Sequence, residues 1–120
     1  MRPHEKLDVW SKSVDFVVRI YDATKAFPPD EKYGLTSQIR RAAVSIRANI
    51  SEGAARRTNG EFLQFISIAQ GSSSEVETEL LIASRLGFLG KDVYESLRLE
   101  IDGIGRMLVG LSNHLKSKKI

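Results

Sequence analysis

The chain has 120 residues, no cysteine, a charged fraction of 28% and a formal net charge of +3. This length fits one domain, 1–120, with a modest core, and the missing cysteines exclude disulfides, thiolate chemistry and Cys-ligated metals while fitting a reducing cytoplasm. No stretch approaches the ~18 uncharged apolar residues of a membrane span, and the N-terminus lacks the apolar region of a signal peptide, so a cytoplasmic protein without membrane contact is expected.

Four segments carry helical period. The first, 4–27, repeats Leu7, Trp10, Val14, Val17 and Tyr21 at three- and four-residue steps, which predicts a core face. A second stripe on it, Phe16, Ile20, Ala23 and Phe27, lies about 100° around the helix. Pro28 and Pro29 end the segment, and 30–34 reads as a turn. The second segment, 35–56, has the seam Leu35, Ile39, Ala42, Ile46, Asn49 and Gly53, and stops near the breakers Thr58, Asn59 and Gly60. The third, 61–86, has the seam Ile66, Ala69, Ser73, Val76, Leu80 and Ala83, with Phe62, Phe65, Ile68, Ile82 and Leu86 beside it; Gly87 and Gly90 close it. The fourth, 91–117, is the most regular: Tyr94, Leu97, Ile101, Ile104, Leu108, Leu111 and Leu115. Strand-type alternation is absent. Short connections make neighbours antiparallel, which predicts an all-α, up-down-up-down four-helix bundle. The first and third segments are more apolar than a lone bundle needs, so self-association is expected.

Polar and small residues interrupt two of these seams. Asn49 stands where the second wants an apolar residue, as register-fixing core asparagines do. Gly53, Gly71 and Ser72 suggest close backbone approach between helices. Glu52 pairs with Arg56 at the helix-stabilising spacing. Glu75, one turn from Gly71, is placed to accept a hydrogen bond from Asn49, Arg56 or a serine. Asn49, Glu52, Gly53, Gly71, Ser72 and Glu75 thus form a candidate structural polar layer, with a small-ligand site as the sharper alternative.

Charge is segregated. Between residues 38 and 59, Arg40, Arg41, Arg47, Arg56 and Arg57 face one acid, Glu52; between 61 and 86, Glu61, Glu75, Glu77 and Glu79 face one base, Arg85. Lys116, Lys118 and Lys119 make a basic tail. Such a pattern favours phosphate, with a solvated, ion-paired surface as the plainer explanation. Catalytic arrangements are missing: His4 and His114 stand apart, no Glu-x-x-His motif exists, and Glu75, Glu77 and Glu79 diverge around their helix. The run Gly71-Ser72-Ser73-Ser74 lacks the lysine and preceding strand of a phosphate loop. No catalytic residue, metal site or cofactor is expected.

The stretch Gln38-Ile39-Arg40-Arg41-Ala42-Ala43-Val44-Ser45-Ile46, continued by Ala48-Asn49-Ile50-Ser51-Glu52-Gly53, resembles the bacterial four-helix-bundle family first named for open reading frames in intervening sequences of 23S rRNA genes. Glu61-Phe62 with Phe65, Ala69-Gln70-Gly71-Ser72, Glu75, Glu77-Thr78 and Leu86-Gly87-Phe88-Leu89 agree with it, as do Leu7-Val9-Trp10 and Tyr33-Gly34-Leu35. The resemblance implies a left-handed up-and-down bundle assembled as a ring-shaped homopentamer. Similar bundles are accessory proteins of diversity-generating retroelements, where a basic pentamer is associated with nucleic acid and reverse transcriptase. The chain departs from the family at Arg47, where proline is frequent, and at Ser73, where an apolar residue is frequent. Together these features lead to the expectation of a non-enzymatic homo-oligomer that binds RNA or DNA through the arginines and the lysine tail. The alternative is a scaffold that binds another protein.

Overall fold

A helix buries the side on which its bulkiest apolar groups and its self-satisfied small polar groups coincide, and this rule sorts the segments above. The computed structural model describes residues 3–117, apart from the side chains at positions 5 and 6. Four helices form: α1 (Asp8–Thr24), α2 (Leu35–Ala54), α3 (Asn59–Arg85) and α4 (Lys91–Ser117), with 3-10 turns at Pro3–Lys6 and Pro29–Glu31. No strand occurs among the described residues. Each helix packs on two neighbours, α1 on α2, α2 on α3, α3 on α4 and α4 on α1, in a rod of 49 × 22 × 22 Å.

Side-chain contacts set the antiparallel order. Trp10, at the start of α1, donates from Nε1 to Ser51 Oγ near the end of α2 (2.8 Å), and Arg40, early in α2, donates to Thr24 Oγ1 at the end of α1 (2.8 Å). Ser72 donates to Ser45 across α3 and α2 (2.9 Å), and Arg19 of α1 pairs with Glu100 and donates to Ser96 of α4 (2.8 Å).

The first helix is shorter than expected and turns its other side inward. It runs over 8–24 rather than 4–27, because Leu7 is extended and its N–H closes the preceding 3-10 turn on His4 O (3.1 Å). Its buried line is Val9, Ser13, Phe16, Ile20 and Thr24, followed by Phe27; Leu7, Trp10, Val14 and Val17 only flank the core, and Tyr21 is 41% exposed. The stripe expected to face another copy is therefore the core stripe. Ser13 and Thr24 hide this in the sequence, yet they cost little when buried: each hydroxyl donates to a carbonyl four residues back, Val9 O and Ile20 O, at 2.7 Å. Phe27 and Phe88 close one end with rings 5.5 Å apart.

In α2 the buried set is Leu35, Thr36, Ile39, Ala42, Ala43, Ile46, Ile50 and Gly53. Ile50 takes the core place assigned to Asn49, which is half-buried and donates back to Ser45 O (2.8 Å) and Ser45 Oγ (3.0 Å). The register-fixing core asparagine is thus absent, replaced by a hydroxyl–amide chain Asn49–Ser45–Ser72 on the α2–α3 flank. Helix α2 ends at Ala54, and α3 starts at Asn59 because Thr58 caps it, its Oγ1 accepting from Glu61 N (3.1 Å) and donating to Glu61 Oε1 (3.0 Å). Helix α3 ends in a Schellman turn: Gly87 has φ +79°, Phe88 N donates to Ala83 O (2.9 Å) and Gly87 N to Ser84 O (3.1 Å). The expected seams of α3 and α4 are buried, except that Tyr94 and Leu111 only flank the core; Glu79 and Ser112 join the buried sets.

The two seam glycines have opposite roles. A Cβ on Gly53 would lie 2.7 Å from Phe62 Cδ1 and 2.9 Å from Phe65 Cβ, so α2 and α3 touch there; at Gly71 nothing lies within 4 Å, and the position is exposed. Gly53→Ala is expected to destabilise the bundle by about 1–3 kcal/mol through overpacking. Gly71→Ala is expected to stabilise it by up to about 1 kcal/mol through helix propensity. Urea unfolding of the two variants checks both signs.

Candidate nucleic-acid interface

Guanidinium groups bind phosphate only if the fold leaves them unspent, and the five α2-region arginines divide on this point. Arg40 is half-buried: its Nε donates to Thr24 Oγ1 (2.8 Å), an outer nitrogen reaches Tyr21 O (3.4 Å), and the group lies 4.5 Å above the Tyr21 ring. It ties α2 to the last turn of α1. Arg56 donates to Glu52 Oε2 (2.6 Å) and Glu52 O (3.1 Å) and lies 5.0 Å over Phe65. The expected Glu52–Arg56 pair therefore forms, on the exposed surface. Arg41, Arg47 and Arg57 have no side-chain hydrogen bond or ion pair among the described residues; Arg41 and Arg57 are exposed and Arg47 is half-buried.

The cations are spread rather than gathered. Arg41 and Arg47 are six residues apart, about 120° around α2. The antiparallel order puts the end of α2, the start of α3 and the end of α4 together, so Arg56, Arg57 and the exposed Lys116 share one end of the rod. A cleft of about 350 Å³ opens near that end between Pro3, His4, Ser51, Glu52 and Ala55, with the His4 ring edge-on to Trp10 at 4.8 Å. Lys118 and Lys119 lie outside the described residues.

The expected polar layer does not assemble. Gly53 is a packing contact, Ser72 belongs to the Ser45 link, Glu52 is committed to Arg56, and Gly71 and Glu75 are exposed. The spacing was compatible with one layer, but Asn49 lies on the α2–α3 flank with Ser45 and Glu75 is exposed, while apolar groups fill the centre. Among the described residues, no cluster of three or more His, Asp or Glu is placed to hold a metal. No described helix is long and apolar enough to cross a membrane.

Sequence reasoning passed over Glu79. It sits two turns beyond Ser72, on the flank of α3 toward α2, and only 6% of it is exposed. Its Oε1 meets no donor. Burial, and then the charge of Glu75 one turn away, push its carboxyl up to about 7. Its only sequence signal is adjacency to the seam residues Val76, Leu80 and Ala83.

Glu79 binds a proton in the folded state between about pH 4.5 and 7 where the unfolded chain has lost it, so its ionisation weakens the fold as pH rises through that window. Glu79→Gln should therefore be more stable than wild type by about 1–3 kcal/mol at pH 8, with the difference vanishing near pH 4. Thermal melts across pH read the difference, and His4 and His114 are common to both proteins. Arg40→Ala should cost about 1–2 kcal/mol, since it leaves Thr24 and Tyr21 without their α2 partner. Arg57→Ala should leave the melt unchanged.

The profile of the 23S rRNA-intervening sequence protein family matches residues 5–110. Among solved structures, the chain is similar to a protein of unknown function from the S23 ribosomal protein family of Bacteroides thetaiotaomicron. Identity is 28% over 87% of this chain and 97% of that one, with a TM-score of 0.81. No curated protein matches.

Proposed function

The chain belongs to the 23S rRNA-intervening sequence protein family, and from that membership we propose that it is a non-enzymatic cytoplasmic helical protein that assembles with copies of itself and binds structured RNA. The five-fold ring implied by the family resemblance is the assembly expected. The reading is carried by one observation: Arg41, Arg47 and Arg57 have no partner among the described residues, while Arg40 and Arg56 are spent within the fold. Three unspent guanidiniums on one subunit are few for tight binding. Repeated around a ring they supply the many phosphate contacts that non-specific affinity requires. Their dispersal over α2 suits backbone contacts rather than base readout.

Binding to rRNA-like hairpins at 50 and 200 mM salt tests this. Affinity is expected to fall steeply with salt, and Arg41→Ala, Arg47→Ala and Arg57→Ala are each expected to weaken it and to reduce the salt slope by about one. Arg56→Ala should matter less. Absence of binding at 50 mM salt overturns the proposal. The second reading, a scaffold for another protein, has support in the exposed apolar side chains of α3 and α4, among them Ile68, Ile82, Leu99 and Val109. Protein partners that survive nuclease treatment in a pulldown would favour it.

A further inference from the structure

Besides Glu79, α3 buries one more polar side chain that the fold leaves unspent, Ser73. It is 3% exposed and stands in a seam with Ala69, Val76 and Leu80. Ser13 and Thr24, buried alike, return their protons to carbonyls four residues back, whereas the Ser73 hydroxyl has no hydrogen-bond partner among the described residues. It lines instead a cavity of about 380 Å³ between α3 and α4. A Cβ at Gly105 would stand 3.7 Å from Ser73 Oγ, so bare backbone keeps this space open. Gln70, Ser74 and Glu77 of α3 face Asp102, Arg106 and Val109 of α4 around it. A second cavity of about 280 Å³ continues along the groove, sharing Glu77 and Asp102 and adding Leu81, Tyr94 and Arg98.

The charges of this groove pair off except one. Arg106 donates to Asp102 Oδ2 (2.6 Å) and Arg98 donates twice to Glu95 (3.1 Å each), and neither pair includes Glu77. Around the first cavity the groups still free are the Glu77 carboxylate, Asp102 Oδ1, the Ser73 and Ser74 hydroxyls and the Gln70 amide. The set is rich in acceptors and negative by one charge. We propose that the groove binds a primary alkylammonium compound. Its N–H donors are shared among Glu77, Asp102 Oδ1 and Ser73 Oγ, and its hydrocarbon tail lies along Leu81 and Tyr94 in the second cavity. Charge-assisted hydrogen bonds are stronger than neutral ones, which selects a cation over an amide or an alcohol. Glu77 repels phosphate and carboxylate ligands, and Arg98 keeps a second positive charge off the tail. Among the described residues no third acid joins Glu77 and Asp102 to hold a metal ion. The site is separate from the arginines of α2 and does not depend on the nucleic-acid reading.

Calorimetric titration of nucleic-acid-free protein with n-butylammonium chloride at neutral pH tests this. The probes n-butanol and tetramethylammonium chloride lack in turn the charge and the N–H donors. n-Butylammonium is expected to bind with a Kd below about 1 mM. In proton–nitrogen correlation spectra it should shift the amide resonances of Ser73, Ser74 and Gly105. The other two probes should bind about tenfold or more weakly. Glu77→Gln should weaken binding about tenfold and Ser73→Ala about threefold, with neither lowering the melting temperature. Glu75→Gln removes the same charge from the opposite side of α3 and should leave binding unchanged. Absence of binding at about 5 mM ligand, equal losses in Glu77→Gln and Glu75→Gln, or shifts confined to residues outside the groove overturn the site. n-Butanol binding as tightly as n-butylammonium overturns the ammonium as its ligand.

Discussion

The contact on which the rest of the bundle depends is the one between Gly53 and the phenyl groups of Phe62 and Phe65. It lets the backbones of α2 and α3 touch where the chain has just reversed, and so sets the height at which the two helices meet. From that height Ser45 falls opposite Ser72, and Glu79 falls on the buried flank two turns further along. A side chain at position 53 would push the helices apart and shift every later pairing. Arg56, just past the end of α2, lies over Phe65 and seals the same corner.

Hydroxyls do much of the polar work inside the rod. Ser13 and Thr24 return their protons to their own helix, and Ser51 does so to Arg47 O (3.0 Å) while accepting from Trp10. Small polar groups satisfied locally occupy core or near-core places without needing a partner across the bundle. The ionic residues behave differently. Arg19 bridges α1 to α4, Arg40 bridges α2 to α1, and Arg98 and Arg106 pair with acids one turn away in α4. What remains for recognition is the residue left after these internal commitments.

This division explains which parts of the molecule were legible in the amino-acid order. The four helices and the seams of α3 and α4 were, since their apolar steps of three and four carry few competing patterns. The inward side of α1 was not: Val14 and Val17 make an unbroken stripe, whereas the true one is interrupted by Ser13 and Thr24, whose bonds to carbonyls four residues back are invisible in a pattern of hydropathy. Asn49 misled for the mirror reason, because Ile50 beside it reaches the centre. Arg40 and Arg41 are identical neighbours with opposite fates, and only the position of Thr24 and Tyr21 on another helix separates them. Glu79 reads as one more surface acid until the register places it against α2.

Trp10 is the single indole of the chain, half-buried, and its one polar hydrogen is given to Ser51 on the neighbouring helix. It stands at the end of the rod that also holds Arg56, Arg57 and Lys116. Its ultraviolet emission is therefore a built-in gauge of the local environment at that end. Parting of α1 from α2 would expose the ring to water and redden its light, whereas a polyanion settling on an unaltered frame would leave the colour in place.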